Sequence, residues 1–358
     1  MMKKYILLVL LITLFTTGGS FLYSQEDGIG EVVFISGTCF VKPANQVYIP
    51  LKLGDVIKSS DTIKTDPDSS VEIKLYSGNR ILVEGDTILR IESSLLENNS
   101  YTSLGLLIGR IQLLVTKLMP NKEVFSVNTL ATVAGIRGTR FTVSAAEDGT
   151  SLIEVTEGIV QAETDEKSYI LKRGAIAEFY ITGEKEDLKK RPNYMKWRER
   201  ITEKIKKDPE TALLRILQIE RRLIGKLREK KDDIERYRKS WAVFIKKINQ
   251  LEKRGMYDEE KKLIQRQMIQ TRKALVFFTK VRQNLQRLRA VLVITARIEK
   301  EVGKPDREKL RTLVTIRKEY NRITFLIKKI EDAEAKLKKA LIILNRKYRE
   351  IQKKSSFS

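Results

Sequence analysis

The chain has no histidine and a single cysteine, Cys39, in 358 residues. These absences exclude Ser-His-Asp and Cys-His catalysis, histidine metal sites, zinc-finger spacings and any intramolecular disulfide. Cys39 lies in a strand-like run and reads as a small buried hydrophobe. Long apolar runs are also missing. The longest, Ile6 to Phe15, falls short of the roughly 20 residues that span a bilayer. Preceded by Lys3 and Lys4 and followed by the small and polar Thr16 to Ser20, it reads as an export signal over residues 1–25. Cleavage is expected near Ser24 or Gln25. An uncleaved inner-membrane anchor is the alternative, because Leu22 is a poor fit three residues before that site. The absence of a cysteine near the cleavage region argues against lipoprotein processing.

What is abundant is positive charge, +23 over the chain, and it is unevenly placed. Residues 26–184 carry 15 basic and 22 acidic side chains, whereas residues 185–358 carry 52 basic and 24 acidic. Halves of opposite sign imply two different jobs or two different surfaces. The expected organisation is a signal at 1–25, an all-β domain at 26–184, a connector helix at 185–208 and a basic helical region at 209–358.

From Glu31 to Tyr180 short alternating runs are separated by turn residues. Val71, Ile73 and Leu75 alternate with Glu72 and Lys74, Ser77-Gly78-Asn79 turns, and Ile81 and Val83 resume the pattern. With no helical insert, the sheet is a string of hairpins or coils. About 150 residues can bury some 70% of their unfolded surface, so this part is expected to fold alone. Its centre is Phe125 to Val143, FSVNTLATVAGIRGTRFTV, read as two strands and one bend. Ala134-Gly135 and Gly138-Thr139 sit where the backbone turns sharply or meets another strand. A Gly-rich loop opening a helix would suggest phosphate binding, but Phe141-Thr142-Val143 follows instead.

The run VAGIRGTRF, with Gly135, Arg137, Gly138, Thr139, Arg140 and Phe141, resembles the signature of the FecR domain family, an extracytoplasmic module named after the regulator of ferric citrate uptake. Other blocks agree in order: Leu51 to Asp55, Asp61 to Thr65, Ser70 to Leu75 with Gly78, Gly109-Arg110-Ile111, Val127-Asn128-Thr129, and Glu154 to Val160. The resemblance implies a twisted, solenoid-like or sandwich-like β domain outside the cytoplasm. The segment before Gly28 is too short for the cytoplasmic anti-sigma segment of such a regulator, so transcriptional signalling is implied less strongly than fold and compartment.

Beyond Gly183 the pattern changes to helical spacing. A short helix is expected from Asn193 to Lys207, and Asp208-Pro209-Glu210 forms a helix start with Asp as cap and Pro at the first helical position. Three long stretches follow, Pro209 to Arg254, Tyr257 to Gly303 and Pro305 to Lys353, broken at Gly255 and at Gly303-Lys304-Pro305. Apolar residues recur at alternating three- and four-residue steps: Ile234, Tyr237, Trp241, Phe244 and Ile248 in the first, Val281, Leu285, Leu288 and Leu292 in the second, Ile316, Tyr320, Ile323, Ile327 and Ile330 in the third. Near-equal rods of about 70 Å joined by tight turns predict a long antiparallel three-helix coiled-coil bundle. The fold class expected is β then α.

No catalytic, cofactor-binding or metal-binding residue stands out. Carboxylates such as Asp258-Glu259-Glu260 or Glu331, Asp332 and Glu334 read as solvated or salt-bridged faces. Arg137 and Arg140 flank the Gly-Thr of the motif, where strand-end solvation or pairing with Glu154 or Glu157 outweighs anion binding. The expectation is a non-enzymatic protein of the periplasm or cell envelope. Its β domain would recognise an envelope protein or peptidoglycan, and the basic rod would attach to anionic surfaces, including an anionic membrane. The export signal and the lack of a base-reading module argue against nucleic acid. The alternative is an accessory in cell-surface signalling that acts on a membrane-bound regulator.

Overall fold

The computed structural model describes residues 28–44, 46–92, 94–96, 99–115, 123–164, 166–301 and 307–355. The signal segment and the break at Gly303-Lys304-Pro305 lie outside them. A β-rich N-terminal region is followed by helices.

Sixteen strands make one branched sheet among the described residues. They are β1 (Gly30–Ser36), β2 (Cys39–Lys42), β3 (Ile49–Pro50), β4 (Val56–Ile57), β5 (Thr62–Thr65), β6 (Ser70–Leu75), β7 (Arg80–Val83), β8 (Ile88–Ile91), β9 (Ser94–Leu96), β10 (Asn99–Leu114), β11 (Glu123–Asn128), β12 (Val133–Ala145), β13 (Ser151–Glu163), β14 (Ser168–Lys172), β15 (Ile176–Phe179) and β16 (Lys185–Asp187). The main path runs β16-β15-β13-β12-β11-β10-β7-β6-β1-β4. Alternation sets which face is buried. Val71 and Ile73 of β6 stand opposite Val83 and Ile81 of β7, and all four are buried.

Two features depart from a plain series of hairpins. β10 and β11 pair in parallel, Ser100 opposite Glu123, whereas the other pairings are antiparallel. The sharp turn of the central stretch also falls earlier than Ala134-Gly135. The Thr129 N–H donates to the Thr132 carbonyl at 2.9 Å, and the Thr132 N–H donates to Thr129 Oγ1 at 3.0 Å. The threonine hydroxyl does locally what a glycine turn would do. β12 then runs straight through Gly135 and bulges at Gly138.

Among the described residues five helices follow: α1 (Tyr194–Lys207), α2 (Pro209–Glu229), α3 (Lys231–Lys253), α4 (Tyr257–Glu301) and α5 (Arg307–Ser355). The Asn193 side chain caps α1 by accepting from the Lys196 N–H at 3.1 Å, and Asp208 caps α2 by accepting from the Thr211 N–H at 2.9 Å. α3 ends at Gly255 with φ +66°. There the Met256 N–H reaches the Leu251 carbonyl and the Gly255 N–H reaches that of Glu252, the paired bonds of a Schellman motif.

The single first rod expected over 209–254 is two helices that meet at Lys230. The two halves join different apolar clusters. Leu213, Ile216, Ile219 and Leu223 of α2 join the main core, whereas Phe244 and Ile248 of α3 join a separate cluster with Ile264, Met268, Leu344 and Ile351. α4 and α5 run antiparallel, since Arg282 pairs with Glu334 and Gln265 with Tyr348. Their inward stripes, Leu285, Leu288 and Leu292 against Ile316, Ile323 and Ile327, are buried.

The expected picture of a β domain displayed on a rod needs correction. One apolar cluster runs from Ile73, Leu104 and Phe125 of the sheet through Leu213 of α2 and Leu285 of α4 to Ile323 of α5. Each such aliphatic side chain taken from water contributes about 1.5–3 kcal/mol. The two regions therefore share a core.

Candidate functional site

The motif residues lie together on β12. Phe141 is buried in the core, and Thr139 is buried with its hydroxyl unpartnered. Gly138, at φ +62°, sits in a register shift between Arg137 and Arg140. Facing it, Gly158 of β13 has φ +81°, and a Cβ there would lie 2.4 Å from Thr139 Cγ2 and 2.6 Å from the Gly138 carbonyl. The two glycines let two long bulged strands pass in close contact. Gly135 is different, because a Cβ there would approach only the Gln161 carbonyl, at 3.7 Å. Arg140 is exposed and pairs with Glu157 at 3.6 Å. The Arg137 side chain lies outside the described residues, while its backbone pairs with Ile159.

The more elaborate constellation is elsewhere, where the acidic sheet meets the basic helices. Arg287 of α4 donates from Nη1 to both oxygens of Glu92, at 2.9 and 3.0 Å, and the two side chains are only 4% and 1% exposed. Glu92 also accepts from Asn128 Nδ2 at 3.4 Å, and the same amide donates to the Ser103 hydroxyl. Small residues make this socket. Ser103, Gly105, Ser126 and Asn128 lie on neighbouring positions of β10 and β11, and a Cβ on Gly105 would come within 2.5 Å of Glu92 Oε1.

A second group of pairs gathers at α1. Arg198 reaches Glu147 at 2.7 Å and Asp86 at 3.4 Å, while Arg200 and the Trp197 indole N–H both donate to Glu178, at 3.0 and 3.1 Å. Arg110 of β10 donates to Glu154 at 3.0 Å, with Tyr194 stacked 5.1 Å from its guanidinium. Burial works against the charge of Arg198, yet Glu147 beside it holds its pKa above the usual value. Burial pushes the Tyr194 hydroxyl up to about 12. Removing such charges from water costs several kcal/mol per ion, offset only where geometry is good, so these pairs specify how sheet and helices meet more than they add net stability.

A third buried acid lies between helices. Glu220 of α2 shares a hydrogen bond with Glu319 of α5, with Arg322 3.6 Å away, and burial raises its pKa from 4.5 to about 7. Cys39 is buried, its thiol donating to the Ser70 carbonyl at 3.6 Å, and burial, then the nearby Asp66, raises its pKa. Among the described residues no group of three His, Cys, Asp or Glu is placed to hold a metal ion, and no helix is long and apolar enough to cross a membrane.

Sequence reasoning missed Glu92, Arg287, Glu147, Glu178, Trp197 and Arg198. The available signal was the opposite charge of the two halves, which marks surfaces that face each other here.

Sheet and seam together define a β-rich module clasped by its own basic helices. Within it, residues 61–161, from the start of β5 through most of β13, match the family model described as FecR protein. No curated protein matches the chain. A solved structure from Parabacteroides distasonis ATCC 8503, described as a proposed anti-sigma factor, is similar at 19% identity and a TM-score of 0.31 over 36% of this chain, which spans 58% of that protein. A structure described as a cell surface anchoring domain is similar at 32% identity and a TM-score of 0.17, over 17% of this chain and 82% of its own.

Proposed function

We propose that the chain is a FecR-like signalling component of the cell envelope, without catalytic activity, whose β region acts on a membrane-bound regulator. The observation that carries this reading is the FecR protein match over residues 61–161, which covers the strands at the centre of the sheet. In support, the conspicuous polar groups of the module, Glu92, Glu147, Glu154 and Glu178, are already paired with arginines. Three of these pairs, those of Glu92, Glu147 and Glu178, hold sheet to helix, and Glu154 pairs within the sheet with Arg110. Signalling would then run through surfaces: a partner engages the sheet, and the clasped helices fix how that surface is presented.

The test is photo-crosslinking from exposed sheet positions such as Tyr76 and Ile170 in native envelopes, followed by mass spectrometry. The reading expects a membrane-bound regulatory protein at those positions. Recovery of wall polymer alone, or of no protein at either position, would contradict it and favour envelope scaffolding.

A further inference from the structure

α5 carries two apolar stripes, and only one has a partner among the described residues. The inner stripe, Ile316, Ile323, Ile327, Ile330 and Leu344, is buried against the other helices. Opposite it, Leu310, Val314, Phe325, Ile342 and Ile343 are 61, 60, 57, 67 and 50% exposed. At 3.6 residues per turn, positions 310, 328 and 346 fall on one line along the helix, and positions 325 and 343 lie within a fifth of a turn of it. The outward apolar residues therefore share one side of a rod about 70 Å long.

The same side is basic. Arg317, Lys328, Lys339, Arg346, Arg349 and Lys353 are exposed between the apolar positions. The acids in this sector are Glu331, Asp332 and Glu350, and Glu350 accepts from Arg346 at 3.1 Å. The Lys329 ammonium lies over the Phe325 ring, 4.6 Å from its centre, so a cation sits directly on an apolar residue of this side. Near the C-terminal end of α5 a shallow, open depression is lined by Ile342, Asn345, Arg346, Arg349, Glu350 and Lys353, so apolar and cationic groups meet there on one side of the helix.

We propose that this outer side of α5 docks on an anionic lipid surface. Large apolar side chains interleaved with cations on one exposed helix side match the boundary between headgroups and acyl chains. There Leu, Ile and Phe enter the hydrocarbon margin while Lys and Arg reach lipid phosphates. A polyanion would leave the apolar residues without a role. Lipid surface and helix side are complementary in charge and in apolarity, and the rest of the bundle keeps the stripe rigid and outward. The inference is independent of the signalling reading, because its readout is vesicle partitioning and not a regulator.

Sedimentation of the full chain with vesicles tests it. Phosphatidylcholine vesicles with phosphatidylglycerol added should carry the protein down, and phosphatidylcholine alone should not. Leu310→Ser with Ile342→Ser and Ile343→Ser, and separately Arg346→Glu with Arg349→Glu, should each weaken partitioning at least about tenfold, with unchanged circular dichroism because these side chains are solvent-facing. Serine variants that partition like the parent would overturn the proposal. So would absence of binding to phosphatidylglycerol vesicles, or equally tight binding to soluble polyglutamate, which would indicate an acidic protein partner.

Discussion

The sheet and the helices bury comparable apolar stripes but use charge in opposite ways. In the sheet region the seam carboxylates Glu92, Glu147, Glu154 and Glu178 are buried and matched by arginines. In the helices, a few arginines enter that seam, and Arg317, Lys328, Lys338 and Arg349 remain exposed. A composition split thus has two structural consequences. Three buried sheet acids, Glu92, Glu147 and Glu178, are used in joining the regions, and much of the basic surplus stays on exposed helix surface.

The comparison can be broken most forcefully at the seam. Arg287→Ala leaves the Glu92 carboxylate buried and uncompensated and should cost about 3–5 kcal/mol in urea unfolding. Glu92→Leu combined with Arg287→Leu should recover much of that loss, because neither desolvated charge remains. A cost under about 1 kcal/mol for the single change would mean that the seam is solvated. Comparable in size, Phe141→Ala in the sheet should cost about 3–5 kcal/mol and Leu285→Ala in α4 about 2–5 kcal/mol. Because the two side chains belong to one cluster, each should move a single unfolding transition. Separate transitions for sheet and helix signals would contradict the shared core.

Smaller effects sharpen the picture. Gly158→Ala is forced into φ +81° against Thr139 and the Gly138 carbonyl, costing about 1–2 kcal/mol from the backbone alone. Gly135→Ala should be nearly neutral, as its site has room. Asp208→Ala removes the cap of α2 and should cost about 1 kcal/mol.

Glu220 gives a pH signature. Its folded pKa, about 7, lies above the ordinary 4.5, so the folded chain holds the extra proton between these values. Stability from this group is complete below pH 4.5, declines as pH rises toward 7, and is flat above. Glu220→Gln should remove that decline in unfolding curves measured across the window. An unchanged slope would place the titration elsewhere.

Much of this was legible in the sequence wherever a local rule applied. The alternation of Val71, Ile73 and Leu75, the helix start near Asn193, the cap at Asp208, the stop at Gly255 and the Arg140–Glu157 pair each follow from residues close in sequence or on neighbouring strands. The turn at Thr129–Thr132 was hidden because hydroxyl groups replace the glycines that usually signal one. The division at Lys230 was hidden for another reason: lysine favours helix, and what changes there is the apolar cluster that each half joins. The Glu92–Arg287 pair spans 195 positions, and nothing local to either residue marks it.

The account stands on that pair joining two regions of opposite charge into one cooperative body. A double-mutant cycle of Glu92→Gln and Arg287→Met, read by urea denaturation of the full chain, measures the joint directly. The predicted coupling is about 1–3 kcal/mol, with the sheet and the fluorescence of Trp197 and Trp241 unfolding together in every variant. Additive costs with no coupling, or helices that melt apart from the sheet in the parent protein, would contradict it.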